Sequence, residues 1–383
     1  MSYQPLDWTQ ALQELMNPRN VLYGRRCLQA ADLEDLAPSL VLQQALKVGS
    51  VITTASSFAN QLNYYEQFGR CTRSYHEIGS GIQGTVYERR GDKHVTKEEL
   101  PTNQGRRLFE EFEMHGLVKD NFDRYGPLAG CNVRVPEVYE SIQGMYTKAY
   151  FLPGFPENVR HLRKIMEMDR ILPLPKVVRK ALIEIFYPDR ADARDEHVVT
   201  RILSERANKH CLARVYLGKE TVAMSKESFT LRNFPLTIKS MCDLGLDVES
   251  FAKMIGSAYA VLHWGARMTV DDVEFVLGTS TTTTDGGIHG REVDMYLLDF
   301  GQCARVYLFK QDKKDVFQAF KEAMVLPRNQ MYLPHPRRNP KLYGIWKSYY
   351  LHSSQIMISL KDLPFDPHTL IEEYEKCLKE IDP

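Results

Sequence analysis

Gly79-Ser80-Gly81-Ile82-Gln83-Gly84-Thr85-Val86 spaces three glycines two and three residues apart and ends on a valine. Without Cβ atoms, such a loop can turn its backbone N–H groups toward one point and close over a phosphate. The spacing alone is not specific, because three glycines also make a tight hairpin. Its surroundings narrow the choice. His76 to Lys97 reads as a strand pair, with Arg90-Gly91-Asp92 as the turn between its arms. Val95-Thr96-Lys97 falls on the second arm, which carries Lys97 under the loop. A helix is expected near Gly105 to Asp120, with Leu108, Phe109, Phe112 and Leu117 on one face and Glu113 on another.

Further along, Val135 to Tyr139 and Tyr146 to Leu152 read as strands, and Pro153-Gly154 ends that block. Several helices follow, punctuated by Pro173, Pro175 and Pro188. Asp247 is placed to cap a helix whose Phe251, Met254, Ile255, Ala258, Val261 and Leu262 form one apolar stripe. Glu274 to Leu277 and Met295 to Leu298 read as strands. The Thr/Gly-rich tract Thr279 to Arg291 between them is expected to be a mobile surface loop. A Tyr/Pro-rich run near Tyr332 to Pro336 precedes the last helices.

Taken in order, four features resemble a protein kinase. They are the glycine loop, Lys97 with Glu113 as its ion-pair partner, Leu262-His263-Trp264-Gly265 after a helix, and Leu298-Asp299-Phe300-Gly301 ending a strand. The resemblance implies an α+β, two-lobed fold with an antiparallel β N-lobe and a mainly helical C-lobe. The expected divisions are an N-terminal helical extension over 1–70, the N-lobe over 71–153 and the C-lobe over 154–383. A basic insertion is expected at about 155–240.

The departures carry as much information. Gly265 stands where the H-x-D pattern requires the aspartate that accepts the substrate proton. Asp271, Asp272 and Glu274 replace the metal-binding asparagine. Together with Asp299 they gather carboxylates that repel one another unless one stays protonated or a cation, metal or guanidinium, lies among them. A helix cap or turn is the structural alternative for Asp271 and Asp272.

Several stretches resemble a fungal family of arginine-containing cyclodipeptide synthases. These are Ile171-Leu-Pro-Leu-Pro175, Leu212-Ala-Arg-Val-Tyr-Leu217, Leu231-Arg-Asn-Phe-Pro235, Leu262-His-Trp264, Asp271-Asp-Val-Glu-Phe-Val-Leu-Gly278 and Leu297-Leu-Asp-Phe300. At Gly301 some members carry an acidic residue, so no role is assigned there. The resemblance implies cytoplasmic, tRNA-dependent condensation of arginine with a second amino acid into a diketopiperazine, a step of secondary metabolism. The implied partners are arginyl-tRNA and a second aminoacyl-tRNA, with neither DNA nor membrane. Asp271, Asp272 and Glu274 are the implied catalytic residues, and Asp299 and His263 the substrate-binding ones. No metal and no cofactor is required. ATP and magnesium enter only under the alternative of a small-molecule phosphotransferase, which would use Gly79, Gly81, Gly84, Lys97 and Glu113 as a phosphate site. A non-catalytic pseudokinase is the third alternative. Ser257, Thr269 and Cys303, the nearest hydroxyls and thiol, are each expected to be structural.

Composition agrees with a globular chain: 43% of its 383 residues are hydrophobic and 26% charged. The start MSYQPLDWTQ shows no basic segment followed by an apolar run, so no secretory signal is expected. The 7 cysteines are scattered with no Cys-x-x-Cys pair, which fits a reducing compartment and argues against zinc. Net charge is zero, yet 155–240 holds 17 Lys+Arg against 11 Asp+Glu. Such a local surplus can attract a polyanion such as RNA, although solvated helices would show it too.

Overall fold

The computed structural model describes residues 27–53, 75–81, 84–89, 92–100, 108–142, 164–283 and 289–381. The fold is α+β and holds two sheets. The first is antiparallel, with strands β3 (Tyr75–Ser80), β4 (Gly84–Arg89), β5 (His94–Glu99), β6 (Val138–Ile142) and β7 (Ile165–Asp169) in the order β3-β4-β5-β7-β6. The second is mixed and six-stranded, ordered β1-β2-β11-β10-β8-β9. Its strands are β1 (Cys27–Leu28), β2 (Val51–Thr53), β8 (Ala213–Tyr216), β9 (Phe234–Thr237), β10 (Glu274–Thr283) and β11 (His289–Leu298).

These pairings revise the expected divisions. β1 and β2 come from the segment read as a helical leader, where they pair with each other, and β2 pairs in turn with β11. β7 lies beyond the division drawn at 153, yet it pairs with both β5 and β6, so the antiparallel sheet extends to Asp169. Residues 1–26 and 54–70 of the expected helical extension and the expected strand Tyr146 to Leu152 lie outside the described residues. The Thr279 to Arg291 tract is not a loop throughout. β10 runs on to Thr283 and β11 begins at His289, because β-branched threonines suit a pleated surface. Thr279 is buried, and its hydroxyl accepts from Arg291 Nε at 3.0 Å.

Two glycines let main chains approach closely. A Cβ at Gly84 would meet Glu98 O at 2.4 Å, so only glycine lets β4 lie this close to β5. A Cβ at Gly256 would meet Trp346 O at 2.5 Å, where helix Val248–Ala260 crosses helix Pro340–Leu360. Asp247 caps the first of these as expected, accepting from Ser250 N at 2.9 Å. Around the crossing, Trp264, Trp346, Tyr259 and Tyr350 are all fully buried. Truncating an aromatic of this kind to alanine costs about 3–5 kcal/mol.

Helix Leu108–Tyr125 is rotated relative to the expected face. Leu108, Glu111, Met114, His115, Val118, Asn121 and Phe122 are its buried positions, while Phe109 is exposed. The buried stripe therefore repeats at i, i+3, i+6 or i+7, i+10 and i+13 or i+14, and it includes a carboxylate that apolar counting passes over. Among the described residues, no helix is long and apolar enough to cross a membrane.

Candidate active site

A cavity of about 300 Å³ opens between the glycine-bearing strands and the start of β10. Five of the stretches quoted above converge on it. They contribute Ile171 and Pro173, Leu212 and Arg214, Arg232 and Asn233, Asp272 and Glu274, and Leu298 and Asp299. These segments are far apart in sequence, and their meeting at one cavity is the principal structural finding about the site. Gly79, Gly81 and Gly84 form its roof and Lys97 one wall. Asn233, Asp272 and Asp299 all have positive φ, at 52°, 57° and 69°. Left-handed backbone at non-glycine residues is costly and collects where a site needs it.

Each carboxylate of the floor faces a cation of its own. Glu274 Oε1 lies 2.5 Å from Arg214 Nη2, Asp272 pairs with Arg328, and Asp299 Oδ1 is 3.8 Å from Lys97 Nζ. Guanidinium and ammonium groups of the chain itself thus relieve the repulsion expected from the sequence. The three side chains differ in wetness, at 17%, 23% and 36% exposed for Glu274, Asp272 and Asp299. Burial pushes Glu274 up to about 7 against the pull of Arg214, with help from the charges of Asp299 and Asp272. Burial also raises Asp272, and Arg328 opposes the rise.

Lys97 finds its buried partner in Glu111, 2.5 Å away, and not in Glu113. Glu113 is exposed, because the rotation of helix Leu108–Tyr125 turns it from the sheet. Burial works against the Lys97 ammonium, but Glu111 and Asp299 outweigh it and hold the lysine charged. His115 also lines the cavity, where burial lowers it to about 4.

Three other expectations place residues differently. His263 is fully buried, bonded through Nδ1 to the Tyr350 hydroxyl at 2.9 Å and stacked on Phe320, away from the cavity. Burial lowers it to about 3, so it packs as a neutral core residue. Gly265 is equally remote. Val261 to Ala266 continue the preceding helix as a π-helical turn, which carries Gly265 to a different cavity, so a missing aspartate at 265 says nothing about the chemistry of this cleft. Asp271 does not line the cavity either; its carbonyl accepts from Cys303 Sγ at 3.4 Å.

The hydroxyls expected to be structural have internal partners. Ser257 bonds Ser353 at 3.0 Å, and Thr269 Oγ1 accepts from Ala304 N at 2.8 Å. Arg179, in the basic segment, donates to the carbonyls of Leu174 and Asn208 and so braces the fold; Arg160 and Arg163 lie outside the described residues. Sequence reading passed over Arg214, Arg328 and Glu111. Arg214 and Arg232 lie inside quoted stretches, so the signal for them was present. Arg328 carries no local pattern.

No protein-family model and no curated protein matches this chain.

Proposed function

We propose that the protein is a tRNA-dependent synthase of arginine-containing cyclodipeptides, acting in the cleft floored by Glu274, Asp272 and Asp299. The observation that carries this reading is the convergence of five of the quoted stretches on one cavity floored by Glu274, Asp272 and Asp299, where burial raises Glu274 to about 7. In the first step the α-amine of one aminoacyl group attacks the ester carbonyl of the other. A C–N bond forms, the C–O bond to the tRNA ribose breaks, and the ribose oxygen leaves with a proton. The amine of the resulting dipeptidyl ester then attacks its own ester carbonyl, closing the ring and releasing the second tRNA. Both steps need alignment and a proton acceptor. Glu274, the driest of the three floor carboxylates and raised by burial to about 7, suits the acceptor. Asp272 suits the arginine side chain, since it already binds a guanidinium from the chain itself. Arg328 is 57% exposed, and an exposed ion pair of this kind is worth about 0–1 kcal/mol, little enough for a substrate arginine to replace it.

A second reading has its own support. The buried Lys97–Glu111 pair beside Asp299, under a glycine-rich loop, is the arrangement that positions a nucleotide for phosphoryl transfer. A small-molecule phosphotransferase would then use Asp272 as its base. Purified arginyl-tRNA and a second aminoacyl-tRNA, both charged beforehand, separate the two. The synthase needs no nucleotide for its own step, because the esters are already activated. Cyclic dipeptide formed without ATP supports it. Product that requires ATP after charging, or labelled phosphate appearing on a small molecule, supports the phosphotransferase instead.

A further inference from the structure

Outside the cleft, a cavity of about 500 Å³ gathers five cations, Arg124, Arg267, Arg305, Lys310 and Lys361, against the single carboxylate of Asp120. None of the five has an ion-pair partner among the described residues. Lys361 Nζ instead donates to Gly265 O at 2.6 Å and Asn121 Oδ1 at 3.2 Å, and lies over the Tyr125 ring. Burial, reinforced by Arg267 and Arg124, lowers it to about 8, as an uncompensated positive field would. The segment Arg305 to Phe309 alternates strictly. Val306 and Leu308 are buried, while Arg305, Tyr307 and Phe309 face outward. Tyr307 is 54% and Phe309 64% exposed, and the cations Lys310 and Arg267 lie over their rings. Exposed aromatics set among unpaired cations are the means by which proteins hold unpaired nucleotides, with bases stacked on the rings and phosphates on the cations.

We propose that this cavity docks the unpaired 3′ segment of a tRNA acceptor arm, an assignment that rests on the synthase reading. Its position suits that occupant. Helix Leu108–Tyr125 presents Glu111 and His115 to the cleft and Asn121 and Arg124 to this cavity. The 13 steps from Glu111 to Arg124 rise about 20 Å along the helix axis, a span that a short single strand bridges. The chain leaving the cleft at Asp299 and Gln302 reaches Arg305 within a few residues. Five cations and two rings match a strand of phosphates and bases better than they match a protein surface, whose cations would oppose them.

Fluorescence anisotropy with uncharged tRNA, intact or trimmed of its unpaired 3′ nucleotides, tests this without requiring catalysis. Two double variants at exposed positions, Tyr307→Ala with Phe309→Ala and Arg305→Glu with Lys310→Glu, keep the fold; Glu372→Gln, exposed on helix Pro367–Ile381, serves as a control away from both cavities. Each lost stacking contact should weaken binding by roughly tenfold or more. Loss of two phosphate contacts should reduce the slope of log K against log salt by about 1.4. The trimmed tRNA should bind the native protein at least as weakly as intact tRNA binds the aromatic variant, and Glu372→Gln should bind normally. Native-like binding by both double variants overturns the docking site and leaves the synthase reading standing. Failure of the native protein to bind any tRNA overturns both. Equal competition by poly-glutamate overturns RNA as the occupant and points to an acidic peptide.

Discussion

Glu274 Oε1 lies 2.5 Å from Arg214 Nη2, across adjacent antiparallel strands, and still its carboxyl is raised from 4.5 to about 7. Desolvation outweighs the guanidinium. A base of this kind works only when deprotonated, so kcat/KM for pre-charged tRNA should rise with pH through about 7 and then level. The sign for stability is opposite. The unfolded carboxyl ionises first, so between the two pKa values folding loses up to about 3 kcal/mol as pH rises. Glu274→Gln should flatten both profiles, and an unchanged rate limb in that variant would assign the titration to another group.

Removing either charge from the floor should preserve folding and reduce cyclic dipeptide. For Glu274→Gln we expect a loss of about 100-fold or more, the range in which a general base contributes, and for Asp272→Asn a loss that includes a raised KM for the arginyl substrate. Product measured by mass spectrometry, alongside circular dichroism to verify the fold, tests both; turnover close to native in the two variants rejects the cleft as the site.

Glu111 and Glu113 lie two residues apart on one helix and should respond differently. Glu111→Ala strands the buried Lys97 charge and should cost about 3–5 kcal/mol. Glu113→Ala, at an exposed position, should change stability by less than about 0.5 kcal/mol. Urea denaturation of the two variants makes the comparison directly.

The glycine loop can be divided in the same way. Gly84→Ala forces a methyl into Glu98 O and should lower the melting temperature by several degrees, since about 1 kcal/mol moves Tm by roughly 2–4 °C in a chain this long. A methyl at Gly81 meets nothing within 4 Å, so Gly81→Ala should melt like the native protein. A change in KM without a change in Tm would show that this part of the loop closes on substrate.

Much of the site could be read from the sequence, but unevenly. Glycines 79, 81 and 84, Lys97, Asp272, Glu274 and Asp299 come together because each is fixed by local geometry, on a strand or within two residues of its end. His263 and Gly265 were misplaced for a different reason. The helix before them does not end where the pattern requires, and a π-helical turn carries both into other packing. The choice of Glu113 over Glu111 followed from setting the helix face by apolar spacing, which cannot detect a buried ion pair. Arg328 reaches Asp272 across 56 residues, a contact that only the tertiary fold creates.

The three cations that face Glu274, Asp272 and Asp299 have a thermodynamic consequence. On the proposed synthase reading, a substrate arginine would enter a cleft whose carboxylates already face cations, so its binding would be an exchange of one guanidinium for another. Its affinity then reflects the difference between two similar ion pairs, and added salt weakens both sides of that difference alike. Selection for arginine in such a cleft would then come from the shape and reach of the incoming side chain, while net charge would contribute little.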